Sequence, residues 1–267
     1  MGHEATMEPG LREWPVGEVT LLRFNRLSRQ PGLVHAFTLR PWNMAPHRGP
    51  QAELAVERRR RLCQLLGLDF ERLTAPAQVH GPEVVPVERS LEGAGRFGRD
   101  EAVGFVDGLV TDRPGLPLLN LSGDCVLLLL YDPRRGALGT AHASWRGIVA
   151  GVTENLVRQL TRSFGCRPDH VLAGIGPSAG PCCYRVERDV CRIVASRFDD
   201  AGRYLLHKNG ATFLDMWRLV ADQLAAAGVP AGNVEVAGCC TMCDRRFFSH
   251  RREGPSTGRF ALICSLT

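Results

Sequence analysis

Of the 33 basic residues only one, Lys208, is a lysine, so arginine carries almost all of a positive charge that leaves the chain at +5. That arginine load, beside 29 glycines and 17 prolines, reads as a bias of composition. Basic and aromatic side chains do not interleave in any stripe, so the charge reads as solvated surface and not as a nucleic-acid footprint. Long apolar runs are lacking too. The longest, Val126 to Tyr131, is strand-sized, against the roughly 20 residues that cross a bilayer. The opening MGHEATMEPGLREWPVGEV has no basic start followed by an apolar run, and no secretory signal is expected from it. With ten cysteines and no export signal, reduced thiols in a cytoplasm are expected in place of a disulfide framework. Internal repeats, low-complexity blocks and domain linkers are absent, which points to one domain. A hydrophobic content of 44% is enough for its core. Residues 1–18 read as a loose arm and 19–267 as the folded domain.

What is present is a succession of strand and helix patterns. Glu53 to Leu66 has helical spacing, with Arg58 to Arg61 expected on its solvated face. Strands are expected at Glu83–Val87, Gly108–Thr111, Leu118–Leu121, Cys125–Tyr131 and Ala137–His142. Later strands read as Val171–Ile175, Val234–Ala237 and Phe260–Ser265. Helices are expected at about Val149 to Phe164, Glu187–Arg197 and Phe213–Ala227. Strands in runs with helices between them point to a mixed α/β or α+β layered sheet.

One hairpin carries chemistry. If Asp132 to Arg135 is a four-residue loop, Tyr131 pairs with Gly136, and Cys125 falls directly opposite His142. Opposed residues share a face with β-carbons roughly 4.5–5.5 Å apart, close enough for a common metal ion or a thiolate–imidazole contact. Asp124 beside Cys125 is a candidate to hydrogen-bond a ligating imidazole or a substrate, and Arg146 a candidate to hold an anion. A third ligand is needed. His80 stands at a strand end before Gly81-Pro82, while His35, His47, His207 and His250 are equally open by spacing. One cysteine with two histidines is a three-ligand zinc set that leaves a fourth position for water or substrate.

Two further patterns are weaker. Cys240-Thr241-Met242-Cys243 is a single CxxC, and a closed zinc knuckle needs a second pair, which Cys182-Cys183 could supply only by folding. Reduced structural thiols are the preferred reading, a redox pair the lesser one. Gly174-Ile175-Gly176-Pro177-Ser178-Ala179-Gly180 lacks the Lys-Ser/Thr ending of a phosphate loop and reads as a tight turn beside the active site.

Six strings together resemble the YfiH family, also called the laccase-domain or multicopper polyphenol oxidase family. They are Gln78-Val79-His80-Gly81, Asp107-Gly108-Leu109-Val110-Thr111-Asp112, Gly123-Asp124-Cys125 and Ala141-His142-Ala143-Ser144-Trp145-Arg146-Gly147, then Gly176-Pro177 through Cys182-Cys183-Tyr184, and Phe247-Phe248-Ser249-His250-Arg251-Arg252 through Gly258-Arg259. The resemblance implies a single-domain layered β-sheet sandwich with helices. It implies a zinc site, with copper the other candidate, at His80, Cys125 and His142. It also implies phosphorolysis of adenosine, inosine and 5′-methylthioadenosine, with adenosine deamination as a second activity. Purine nucleosides and phosphate are then the partners, with no nucleic acid and no membrane, and the protein a monomer or small homo-oligomer. Arg146, Arg251 and Arg252 are candidates for phosphate. Arg40, one place along from the family's usual arginine, is a fourth. Arg185 stands where the family carries an acid.

Other readings remain. Cys125 could be a nucleophile activated by His142, in a cysteine hydrolase or a peptidoglycan-precursor editing enzyme. A copper-dependent polyphenol oxidase ranks lower, since a four-copper centre needs many more histidines than the eight here. A non-catalytic metal-binding protein is the last.

Overall fold

Segments 126–132, 137–143 and 260–266 are buried at every residue, so each must lie in a sheet covered on both faces. The computed structural model, which describes residues 10–267, supplies that cover in four layers. In chain order the elements are β1 (Leu11–Val16), β2 (Val19–Phe24), β3 (Leu33–Phe37), α1 (Ala55–Leu66), β4 (Val84–Pro86), β5 (Gly108–Thr111), β6 (Leu118–Ser122), β7 (Val126–Asp132) and β8 (Ala137–Ala143). There follow α2 (Trp145–Ala150), α3 (Val152–Phe164), β9 (Leu172–Ile175), β10 (Arg185–Val186), α4 (Arg188–Arg197), β11 (Leu205–Lys208) and β12 (Ala211–Leu214). The last are α5 (Met216–Ala226), β13 (Val234–Val236), α6 (His250–Glu253) and β14 (Phe260–Leu266).

A five-stranded antiparallel sheet, β1-β2-β3-β14-β6, faces a six-stranded mixed sheet, β13-β9-β7-β8-β5-β4. Between them Phe24, Phe37, Phe260 and Leu262 meet Leu109, Leu127, Leu129 and Leu138. On the outer face of the first sheet, Leu62 and Cys63 of α1 cover Leu21, Ala36 and Ile263. On the outer face of the second, Leu156 and Leu160 of α3 and Leu219 of α5 cover Val110, Leu128 and Ala141. Truncating any of these leucines to alanine costs about 2–5 kcal/mol. A small sheet, β10-β12-β11, lies to one side. The expected mixed, layered sandwich with helices is what forms, as a single domain. No helix among the described residues is long and apolar enough to cross a membrane.

Several expectations need correction. The loose arm expected over 1–18 lies outside the described residues for 1–9, but Leu11–Val16 is β1, paired along its whole length with β2. Its half-buried alternation hides it in the sequence, and β2 and β3 are further strands that the sequence pattern does not announce. The single helix expected from Val149 is two, α2 and α3, broken where Gly151 takes φ 96°. The start of the helix expected at Phe213 belongs to β12, and Asp215 then caps α5 by accepting from Arg218 N at 3.0 Å. Arg59 is no solvated side chain. It is 2% exposed and donates to the carbonyls of Met44, Gly95 and Arg96 at 2.9–3.0 Å.

The hairpin register also differs. Asp132 belongs to the strand and pairs with Ala137, so His142 faces Leu127 and Cys125 sits diagonally, just beyond the end of β7. Asp132 Oδ1 accepts from Arg134 N and Arg135 N at 2.9 and 3.2 Å, while Gly136 takes φ 59°, which places residues 133–136 in the turn. A slip of two residues leaves every side chain on its expected face, whereas a slip of one would have reversed them.

His35, in β3, is a core residue. Its Nε2 accepts from Phe24 N at 3.1 Å, and burial first, then the charges of Arg23 and Arg12, push its pKa down to about 3. The unfolded chain regains an ordinary imidazole near 6.5 and binds the extra proton. Stability from this site is therefore full above pH 6.5 and is lost as pH falls towards 3, by about 1.4 kcal/mol per pH unit. Urea unfolding between about pH 7 and 5, above the carboxylate range, should show this slope, and His35→Gln should flatten it. Parallel profiles for the two proteins would refute the assignment.

Candidate metal centre

The site begins with Asp107, a fully buried acid one residue ahead of β5. Its Oδ2 accepts from Val79 N at 2.9 Å and Gly81 N at 2.8 Å, and its Oδ1 from His80 N at 3.1 Å. These contacts hold a turn in which Gln78 and His80 take φ values of 54° and 65°, a conformation that costs about 1–3 kcal/mol per non-glycine residue unless the surroundings impose it. Gln78 ties the same turn to β6, donating to Leu121 O at 2.7 Å and accepting from Leu121 N at 2.8 Å. Gly147 lets α2 approach it, since a β-carbon there would stand 2.9 Å from Gly81 O.

Asp107 Oδ1 also takes the ring of His142, with Nδ1 at 2.8 Å. A carboxylate on Nδ1 fixes the proton there and leaves Nε2 as a ligand atom. His142 itself comes from the end of β8, where its backbone N donates to Asp107 O at 2.8 Å. One carboxylate therefore orients one histidine through the ring and the other through the backbone. Asp107 stays ionised because its burial, which pushes the pKa up, is outweighed by the His142 contact and charge and by the Gly81 and Val79 amides.

His80, Cys125 and His142 bring one ligand atom each to within 4.8 Å of the others. The two imidazoles meet edge to face, with ring centres 4.9 Å apart. Burial pushes the Cys125 thiol up, but the His142 charge and hydrogen bonds from both histidines outweigh it and hold the pKa at about 6. Burial pushes His142 down, but the Cys125 charge and Asp107 reverse this, to about 9. The donor set suits a borderline ion such as zinc or copper, at bond lengths of about 2.0–2.3 Å.

These three residues line a cavity of about 400 Å³, a size for a small molecule and not a polymer. Its wall is strongly basic. His47, Arg48, Arg59, Arg99, Arg146, His250, Arg251 and Arg259 line it, and Asp124 is the one acid among the lining residues. Arg146 stacks on Trp145, its guanidinium carbon 4.5 Å from the ring centre, and Arg251 stacks on Tyr184 at 5.0 Å. The glycine-rich 174–180 segment lies beside Cys125 as expected, with Ala179 N donating to Asp124 O at 2.8 Å.

Of the expected site residues, His80, Cys125, His142, Asp124, Arg146 and Arg251 converge here. Two do not. Arg40 is ion-paired to Glu253 at 2.5 Å and lies over Phe248. Arg252 is spent on Glu253 and on the carbonyls of Thr241 and Phe247, at 2.7 and 2.6 Å. Both are corrected to structural roles. Asp124 is corrected as the partner of an imidazole, since its oxygens accept from Thr241 Oγ1 at 2.7 Å and Arg251 N at 2.6 Å. That part belongs to Asp107, for which the available signal was an acid directly ahead of an apolar strand. Arg185 is exposed and pairs with Glu187 at 3.7 Å. His47, Arg48, Arg99, Tyr184 and Arg259 come from scattered loops and turns and Arg59 from the inner face of α1, and no spacing announced them.

Residues 26–267 match the family described as multi-copper polyphenol oxidoreductase laccase. The chain is 36% identical to purine nucleoside phosphorylase YlmD of Geobacillus stearothermophilus over 231 residues, 81% of this chain and 80% of the relative. The crystal structure of YlmD from that organism superposes with a TM-score of 0.88 at 31% identity, covering 97% of this chain and 99% of the other. Adenosine deaminase RL5, from an unknown prokaryotic organism, is 29% identical over 220 residues, 81% of this chain and 84% of the relative.

Replacing Asp107 with asparagine should weaken zinc binding about 10–100-fold, since outer partners of ligating histidines contribute on that scale. Competition against a chelator of known affinity measures this. Equal affinity in Asp107→Asn and the parent would remove Asp107 from the site.

Proposed function

Because the chain belongs to the multi-copper polyphenol oxidoreductase laccase family, we propose that it is a metal-dependent enzyme of purine nucleosides. In this reading it cleaves adenosine, inosine and 5′-methylthioadenosine with phosphate and also deaminates adenosine. The observation that carries it is the joining, in one cavity, of the His80, Cys125 and His142 cluster to a wall of arginines. The relatives named purine nucleoside phosphorylase and adenosine deaminase support the same reading.

Zinc or copper held by His80, Cys125 and His142 supplies Lewis acidity when bound. The rest falls to the chain. In phosphorolysis a phosphate oxygen bonds to ribose C1′ while the C1′–N9 bond breaks and its electron pair leaves with the base, which takes up a proton. Among the described residues, no protein acceptor takes the guanidinium groups of Arg48, Arg99 or Arg146, which all line the cavity. They are the groups to bind the phosphate. Tyr184, buried beneath Arg251, offers the purine an aromatic face. Deamination exchanges the C6 amino group of adenosine for an oxygen from water and releases ammonia.

A second reading is favoured by one contact set. Cys125, His142 and Asp107 form a thiolate, imidazole and carboxylate chain, as a cysteine nucleophile requires. His80, the third donor, has no part in such a chain, and for this reason the metal reading is preferred.

Incubation with adenosine and phosphate should yield adenine and ribose 1-phosphate together with inosine, and His80→Ala should abolish all of them. Arg146→Ala should raise the KM for phosphate about tenfold or more, the equivalent of a charged hydrogen bond of about 1.5–3 kcal/mol. No product above the His80→Ala control would sink the proposal. A metal-free protein irreversibly inactivated by alkylation of Cys125 would establish the nucleophile instead.

A further inference from the structure

A cluster of four thiols, two of them exposed, lies next in the chain to the cavity residue Tyr184. Strands β9 and β13 are parallel neighbours, with Val236 opposite Ile175, so the loops that follow them leave the sheet side by side. A further parallel bridge joins Ser178 to Cys240, with Ser178 N donating to Cys239 O at 3.2 Å and Thr241 N to Ser178 O at 3.0 Å. This pairing carries Cys182 and Cys183 from one loop onto Cys240 and Cys243 from the other. The four sulfurs lie within 4.8 Å of one another. The pair of cysteines that the CxxC lacked in sequence is supplied by the fold.

The arrangement is that of ligands around one centre and not of two pairs. Cys243 Sγ is 3.3 Å from Cys183 Sγ and 3.7 Å from Cys182 Sγ, so one sulfur has two sulfur neighbours at similar range. Four thiolates around one zinc ion at about 2.3 Å stand about 3.8 Å apart along every edge of the tetrahedron. The backbone is also arranged for a thiolate. Gly180 N donates to Cys240 Sγ at 3.3 Å, and Cys243 N and Asp244 N both donate to Cys240 O, at 3.1 and 2.9 Å, which tightens the CxxC turn. Cys239, next in sequence, is not part of the group and donates to Asp244 Oδ2 at 3.6 Å.

We propose that Cys182, Cys183, Cys240 and Cys243 form a structural four-thiolate zinc site, separate from the cavity and closed to substrate. Binding releases the four thiol protons and involves no change of oxidation state. The site joins two walls of the cavity. Tyr184 follows Cys183 directly, and Thr241, between the two ligands of the CxxC turn, holds Asp124 beside Cys125. The proposal does not depend on the reaction assigned to the cavity.

Two measurements under reducing conditions test it. In the first, the full chain is saturated with zinc and each cysteine is followed by mass spectrometry during alkylation. The four cysteines should label about tenfold or more slowly with zinc than after chelation, as bound thiolates do. Labelling indifferent to zinc would overturn the site. In the second, the His80→Ala/His142→Ala variant should retain one zinc per chain, and adding Cys240→Ser and Cys243→Ser should remove it. The zinc-free result in the histidine variant alone would also overturn it. Cobalt in that variant should show thiolate-to-metal charge-transfer bands, which a site with nitrogen or oxygen ligands alone would not give.

Discussion

The cavity depends on one buried carboxylate. Asp107 lies between the turn that carries His80 and the strand end that carries His142, and accepts hydrogen bonds from both. Buried carboxylates are costly unless their oxygens are filled. Here three amides and an imidazole fill them, and these contacts outweigh the burial that would otherwise push its pKa up. Without that acceptor the left-handed turn at Gln78 and His80 would lose three of the hydrogen bonds that hold it.

The two sheets give this carboxylate its fixed address. Asp107 enters β5, which pairs with β8 through Gly108 and Ala141, so Asp107 and His142 are placed by the same ladder. Cys125 arrives from just beyond the neighbouring strand of the hairpin, and its thiol meets His142 where the sheet ends and the cavity begins. A rigid ladder therefore sets the separation of Cys125 and His142, while helices and loops around it supply the arginines. Rigid placement of ligands with adaptable cover is what a small-molecule site needs.

Buried polar atoms outside the cluster show the same economy of contact. Asp124 spends one oxygen on Thr241 and the other on the start of α6, and so links the hairpin, the CxxC turn and the arginine-bearing C-terminal segment. Arg252 and Arg259 cap loop carbonyls nearby. Several of the arginines that resemble phosphate ligands on paper are thus committed to the backbone, and of the cavity arginines Arg48, Arg99 and Arg146 have no acceptor among the described residues.

Much of the fold was legible in the chain. The runs at Gly108–Thr111 and Phe260–Ser265, and the hairpin between them, announced buried strands by apolar content alone. Helical spacing likewise announced α1, α3 and α4. Pairing arithmetic put Cys125 and His142 on one face, and survived a two-residue error because side-chain direction repeats every two residues. What local pattern could not show was anything decided by contact between distant segments. The half-buried strands β1 to β3, the choice of His80 over His35, the reach of Asp107 across 35 residues to His142 and the meeting of two cysteine pairs all depend on sheet order. Local sequence determines periodicity and residue chemistry, but sheet order follows from which apolar faces bury one another, and only the assembled sandwich specifies that.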